Sequence, residues 1–247
     1  MEISKEEIKK ELALRELSRR KLEYFVPYVD PFFWHSYKWY NMKAFHILIA
    51  QKLQDVLDGK IKKLMISVPP QHWKSTISSQ RFPLFWHMQD PLLNLVLASY
   101  SQDLSKWHLS KIRQLKDWTR FDKLWTLNTI SDTATSYELK EWWTFTAVWV
   151  WWSLTWKPVD WLIIDDVHKD RMEYESLTIR NGVWDWYTSV ALSRLHQNSW
   201  QVLVMTRWGE DDLFWKILAL EPEEWEIINI PVLEWETTIF PERFPLD

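Results

Sequence analysis
The run Leu64-Met65-Ile66-Ser67-Val68-Pro69-Pro70-Gln71-His72-Trp73-Lys74-Ser75-Thr76 orders its residue types as a buried strand, a tight loop and a lysine that opens a helix. That order suits phosphate, because backbone N–H groups of a tight loop wrap the oxygens and the helix N-terminus adds its dipole. Pro70, Gln71, His72, Trp73, Lys74, Ser75 and Thr76 form the expected phosphate-binding stretch. Lys74 is placed to reach the β- and γ-phosphates of a nucleotide, and Ser75 to set its hydroxyl on Mg²⁺, with Thr76 the alternative hydroxyl. One residue resists this chemistry. The position before the lysine must let the main chain approach phosphate closely, which favours glycine, and Trp73 stands there. Its indole is expected to block nucleotide. An ordinary strand-to-helix turn is the plain alternative for the whole run.

Two further strand ends offer matching groups. Trp161-Leu162-Ile163-Ile164-Asp165-Asp166 is an apolar strand ending in two carboxylates. At the C-terminal edge of a parallel sheet, Asp165 can hold Mg²⁺ through water while Asp166 orients an attacking water. Val202-Leu203-Val204-Met205-Thr206-Arg207-Trp208 ends in a hydroxyl and a guanidinium. Thr206 and Arg207 there could sense a γ-phosphate and couple hydrolysis to movement; a strand-end cap is the other reading. His72 and His168 adjoin these segments, and both read as hydrogen-bonding spacers without an acid or base role.

The elements that must position these groups follow from periodicity. Short apolar runs at Leu64–Val68, Leu93–Ala98, Phe145–Val150, Trp161–Ile164, Val202–Met205 and Glu226–Ile230 alternate with helical patterns at Lys74–Phe85, Gln102–Lys116, Ile179–Ser193 and Asp211–Leu220. Buried strands alternating with helices predict an α/β, P-loop type fold, a mostly parallel sheet flanked by helices on both faces. An N-terminal helical segment, residues 1–60, precedes it, and 61–247 form the P-loop domain. Ser4 and Glu7 make a capping box for a helix through Arg20. A bend rich in proline and aromatics is expected over Phe25–Tyr40, then a helix over Met42–Leu57 ended by Asp58-Gly59.

A net charge of −4 and a pI near 6.0 leave no global basic footprint, so nucleic-acid contact would have to be local or come from another domain. No cysteine is present, which excludes disulfides and any cysteine-bearing zinc site. The 7 histidines are scattered without a His-x-x-x-His pair, so a metal held by protein ligands alone is not expected. The mixed-charge N-terminus has no signal-peptide core, and the longest apolar stretch, Phe145–Trp156, is too short to span a bilayer. The expectation is a soluble intracellular protein.

Tryptophan usage sets Trp73 in a wider pattern. An average chain of this length carries about 17 glycines at ~7%, whereas this one has 3 Gly against 21 Trp. Trp142, Trp143, Trp149, Trp151, Trp152, Trp156, Trp200 and Trp235 occur where turns and loops favour glycine. Reading these eight together with Trp73, Trp107, Trp161 and Trp215 as glycines would raise the count from 3 to 15. UGA codons, glycine in some genetic codes and tryptophan in others, would produce this substitution. Trp184, Trp186, Trp208 and Trp225 read as natural; Trp86, Trp118 and Trp125 stay open.

Six segments taken together resemble a known family. They are Pro69–Thr76, Leu97-Ala98-Ser99-Tyr100-Ser101, Leu162–Asp166, Val183-Trp184-Asp185-Trp186-Tyr187, Thr206-Arg207-Trp208-Gly209-Glu210-Asp211-Asp212-Leu213 and Phe240-Pro241-Glu242-Arg243-Phe244. In this order they are similar to the large subunit of tailed-phage terminase. The resemblance implies an ATPase that uses ATP and Mg²⁺ to drive double-stranded DNA into a procapsid. Its implied partners are the portal protein, the terminase small subunit and copies of itself in a ring, in the cytoplasm of an infected bacterium and without a membrane. In that reading Lys74, Asp166, Thr206 and Arg207 are catalytic, and Ser75 and Asp165 hold the metal. The family usually has arginine where Gln71 stands, so another arginine, Arg207 or one from a neighbouring subunit, would have to stabilise the transition state. The family's nuclease would follow Asp247, so no nuclease activity is expected of this piece. Another DNA-dependent ATPase, such as a helicase, and an inactive remnant carrying a genuine Trp73 are the rival readings.

Overall fold
Apolar side chains run almost without a break along the central strands and so project from both faces of the sheet, and both need cover. The computed structural model describes residues 4–29, 42–90, 92–117, 119–140, 144–152, 158–234, 237–241 and 243–245. Tyr40, Trp118, Trp142, Trp143, Trp156 and Trp235 lie outside them. Eight strands form one sheet: β1 Lys63–Ser67, β2 Leu95–Ser99, β3 Thr129–Asp132, β4 Ser136–Leu139, β5 Thr144–Trp149, β6 Val159–Asp165, β7 Leu195–Met205 and β8 Glu226–Asn229. Their order is β3-β4-β5-β2-β6-β7-β1-β8. From β5 to β8 every pairing is parallel, and β4 and β3 add antiparallel strands at one edge. The α/β expectation holds.

Leu64, Ile66, Leu97, Ile163, Val202 and Val204 face one cluster, which is covered by α2 Leu22–Val29, α3 Ala44–Leu57, α4 Phe82–Gln89 and α5 Gln102–Lys116. Met65, Ala98, Leu162, Ile164, Leu203 and Met205 face the other, which is covered by α8 Leu177–Trp186 and α9 Leu213–Leu220. Short helices α6 Thr119–Asp122 and α7 Arg171–Glu175 are also present among the described residues. Helix α1, Lys5–Arg20, opens with the expected capping box between Ser4 and Glu7.

Three local expectations are corrected. The bend does not begin at Phe25, because α2 runs through Pro27 to Val29. Leu22, Phe25, Val26 and Val29 recur at helical spacing and are all buried, and that burial outweighs the bond lost at proline. The helix after the loop extends to Gln89 and contains a π-turn over Thr76–Arg81, where Phe82 N–H donates to Ile77 C=O. Pro83 follows at once, and the wider turn absorbs its ring and missing donor. Helix α8 ends at Trp186 and continues as a π-turn and a 3₁₀ turn to Arg194. Strands β3 and β4 were not expected from the sequence. Thr129–Asp132 has no apolar run, and pairing with β4 together with Arg113, which binds Asp132 and the Thr133 and Ser136 carbonyls, holds it.

Candidate functional site: the carboxyl edge of the parallel sheet
Parallel pairing brings the ends of three strands to one edge. Ser67 pairs with Met205 and Asp165 with Val204, so the loop after β1, the two carboxylates after β6 and Thr206 after β7 become neighbours. Lys74 is the hub. Its Nζ donates to Asp166 Oδ2 at 2.9 Å and to Thr206 Oγ1 at 2.8 Å. Ser75 Oγ donates to Asp165 Oδ1 at 2.9 Å, and Thr206 N–H donates to Asp166 Oδ1 at 3.0 Å. Five of the expected site residues therefore meet at this edge in two adjoining hydrogen-bonded groups, Lys74–Asp166–Thr206 and Ser75–Asp165.

Arg207 belongs to neither group. Its guanidinium binds Asp212 Oδ2 at 2.8 Å and lies over the Trp215 ring at 4.9 Å. Asp212 is fully buried, caps α9 through Trp215 N–H and needs that cation.

The loop backbone is held in an unusual conformation. Gln71 and Trp73 have φ of +62° and +61°, and Asp166 has +49°. L-residues rarely adopt this region, at a cost of about 1–2 kcal/mol each, with Asp and Asn the most tolerant after glycine. The Trp73 indole stacks on His46, with ring centres 5.7 Å apart, and meets Phe240 edge-on at 6.0 Å. The positive φ adds a backbone cost at the position where the sequence already sets the indole against nucleotide. His72 Nδ1 lies 2.8 Å from Pro70 C=O and its ring stacks on Phe244, which agrees with a spacer. Phe45 is buried beside His46, His72 and Phe240.

Burial pushes Asp165 and Asp166 above the usual carboxylate range; Lys74 opposes this in both, and the neighbouring Asp165 adds to it in Asp166. A carboxylate so raised is suited to accept a proton from water. Ser75 Oγ and Asp165 are hard oxygen donors that fit Mg²⁺, and buried Asp165 Oδ2 has no hydrogen-bond partner among the described residues. Among the described residues no three His, Cys, Asp or Glu side chains converge on a metal position. A cation at Ser75 and Asp165 would draw its other ligands from phosphate and water.

No family model matches the chain, and no curated protein matches its sequence. A solved structure does. The fold is similar to that of the HK97 bacteriophage large terminase. The TM-score is 0.51 at 11% identity, over 78% of this chain and 40% of that one. The likeness to the terminase is one of fold, and this chain spans well under half of its length. No helix of the described residues is long and apolar enough to cross a membrane.

Other residues on this terminase-like scaffold support the loop without a signal in the sequence. His46 accepts from Lys43 N–H at Nδ1, 3.0 Å away, and its Nε2 faces His72 C=O at 3.2 Å. Burial lowers it from 6.5 to about 4, so it is neutral. Arg243 reaches Gln71 Oε1 at 3.2 Å from the C-terminal segment, an arginine at the loop from a direction not anticipated.

The tryptophans divide by environment. Trp186 Nε1 donates to Trp152 C=O and Trp225 Nε1 to Glu221, as natural tryptophans would. Buried Trp161 and half-buried Trp200 stack at 4.9 Å, Trp86 lies 3.6 Å from Trp161 at 54°, and none of the three indole N–H groups has a hydrogen-bond partner among the described residues. Tilted rings pack at about 4.5–7 Å, and a buried indole N–H ordinarily finds an acceptor. Trp151 has φ +86°, and its ring presses on Gly182 so closely that a Cβ there would lie 1.9 Å from it.

Proposed function
We propose that this chain is the ATPase part of a bacteriophage terminase large subunit, which hydrolyses Mg-ATP to move double-stranded DNA into a procapsid. The observation that carries the reading is the bridge of Lys74 to Asp166 and Thr206, drawn from three adjacent strand ends. Phosphate entering the loop would take Lys74 from Asp166, leaving that carboxylate to align and deprotonate water. Thr206, bonded to both residues, would register the exchange and pass it along β7. Ser75 and Asp165 would hold Mg²⁺, whose charge offsets that of the phosphates. In this reading Arg207 fixes α9 and does not touch phosphate. DNA, a portal, a small subunit and a ring of copies are the corresponding partners, and the host cytoplasm the setting.

The same reading takes Trp73, Trp151, Trp161 and Trp200, with the other eight tryptophans grouped with them, as glycines encoded by UGA. Positive φ at Trp73 and Trp151 and the unpaired, crowded indoles of Trp161 and Trp200 support it. Two measurements test the pair of ideas. The gene should carry UGA at positions 73, 151, 161 and 200 and UGG at 186 and 225; UGG at all six ends the recoding idea. Calorimetry should detect Mg-ATP binding to the Trp73→Gly chain and little to the parent. Absence of binding in both forms would remove the ATPase reading.

A further inference from the structure
Behind Asp165 lies a chain of buried polar side chains that fixes which ring nitrogen of His108 carries the proton. Arg81 NH1 lies 2.5 Å from Gln80 Oε1. A guanidinium only donates, so this contact makes Gln80 Oε1 the acceptor and orients the amide. Gln80 Nε2 then points at His108 Nδ1, 3.1 Å away, and because an amide nitrogen only donates, Nδ1 must be the bare nitrogen. The proton of the neutral ring is left on Nε2. That atom lies 3.2 Å from Asp165 Oδ2, an ion-pair distance, and neither atom has a hydrogen-bond partner among the described residues. Asp165 Oδ1 is already occupied by Ser75 Oγ. Gln80, Arg81, His108 and Asp165 are all buried.

His108 is also held on a rigid support. It sits mid-way along α5, with Leu109, Ile112 and Leu115 packed into the core beside it. The Ser105 hydroxyl, one turn earlier, lies within hydrogen-bond reach of Ser101 C=O and of Val148 C=O on β5, which ties the helix to the sheet.

We infer that His108 is a positioning residue for Asp165: held as its Nε2–H tautomer by Gln80 and Arg81, it fixes the carboxylate so that the oxygen facing Ser75 is presented to the cation. The inference rests on the Mg-ATP reading for its consequence, although the tautomer itself does not depend on it. Such support behind a metal ligand acts through orientation, and its loss typically costs about 10–100-fold in metal affinity or activity.

The first test needs no nucleotide. Long-range ¹H–¹⁵N spectra of the 247-residue chain, with His108 assigned by its loss in His108→Gln, should show a neutral ring protonated at Nε2. A ring protonated at Nδ1 overturns the relay whatever the chain does with ATP. The second test follows hydrolysis against Mg²⁺ concentration in the Trp73→Gly chain. His108→Phe should raise the Mg²⁺ needed for half-maximal turnover roughly 10-fold or more, with the KM for ATP within about twofold. His108→Gln, whose amide nitrogen can stand where Nε2 stood, should recover most of that loss. An unchanged Mg²⁺ requirement in a His108→Phe chain that keeps its far-UV spectrum overturns the proposal. If the Trp73→Gly chain itself binds no ATP, the function reading fails and the tautomer alone decides the relay.

Discussion
Replacing Asp166 by asparagine asks whether a carboxylate and a phosphate compete for one cation. Lys74 Nζ lies 2.9 Å from Asp166 Oδ2, with side-chain exposures of 7% and 26%. Exposed ion pairs contribute about 0.2–1 kcal/mol, and removing one partner of a fully buried pair costs about 3–5 kcal/mol. A pair with one buried and one partly exposed member falls between, at roughly 1–2 kcal/mol. Incoming phosphate has to overcome that attraction and also the repulsion of Asp166. Asparagine keeps the shape and can still accept from Thr206 N–H, but it carries no charge. In the Trp73→Gly background, ATP should bind Asp166→Asn about 5- to 30-fold more tightly. Hydrolysis should fall about 100-fold or more, because water loses its acceptor. Calorimetry with Mg-ATP gives the first quantity and single-turnover phosphate release the second. Weaker ATP binding in Asp166→Asn would refute the competition, since the carboxylate would then be supporting the bound nucleotide.

Three other outcomes follow from the same structure. Trp161→Gly with Trp200→Gly would cost about 3–5 kcal/mol per indole in a well-packed core; with crowded rings and unpaired N–H groups removed, urea unfolding should show a loss below about 2 kcal/mol or a gain, and a loss near the ordinary sum would mark both indoles as native core. Arg207→Ala should lower stability by about 1–3 kcal/mol by leaving Asp212 buried without its cation, and an unchanged denaturation midpoint would contradict the structural role given to that pair. Burial holds His46 at about 4 against 6.5, so the unfolded chain takes up the proton first; this residue's stabilisation is complete above pH 6.5 and is lost as the pH falls toward about 4, by about 3 kcal/mol in all. Asp165 and Asp166, raised by burial, act in the opposite sense over the acid range, so the His46 share is read as the difference in slope between the parent and His46→Asn, and identical slopes would disprove it.

The sequence by itself determined the strand ends and therefore most of the site. Leu64–Val68, Trp161–Ile164 and Val202–Met205 are apolar runs closed by polar residues, and in a parallel sheet covered on both faces such runs have their polar ends at one edge. Lys74, Ser75, Asp165, Asp166 and Thr206 were legible for that reason. Local signals also sufficed for the capping box at Ser4 and for the stop at Asp58-Gly59, where Gly59 takes φ +74°. Tertiary structure alone decided what depended on partners distant in the chain. Helix α2 forms across Pro27 because its stripe is buried, and β3 exists because β4 and Arg113 hold it. Arg207 was drawn away from its neighbours by Asp212, a buried carboxylate whose need for a cation appears only once α9 packs on the sheet. His46 and His108 carry no motif; each became part of the site because folding removed it from water, left the ring neutral and set one nitrogen against the loop or against Asp165.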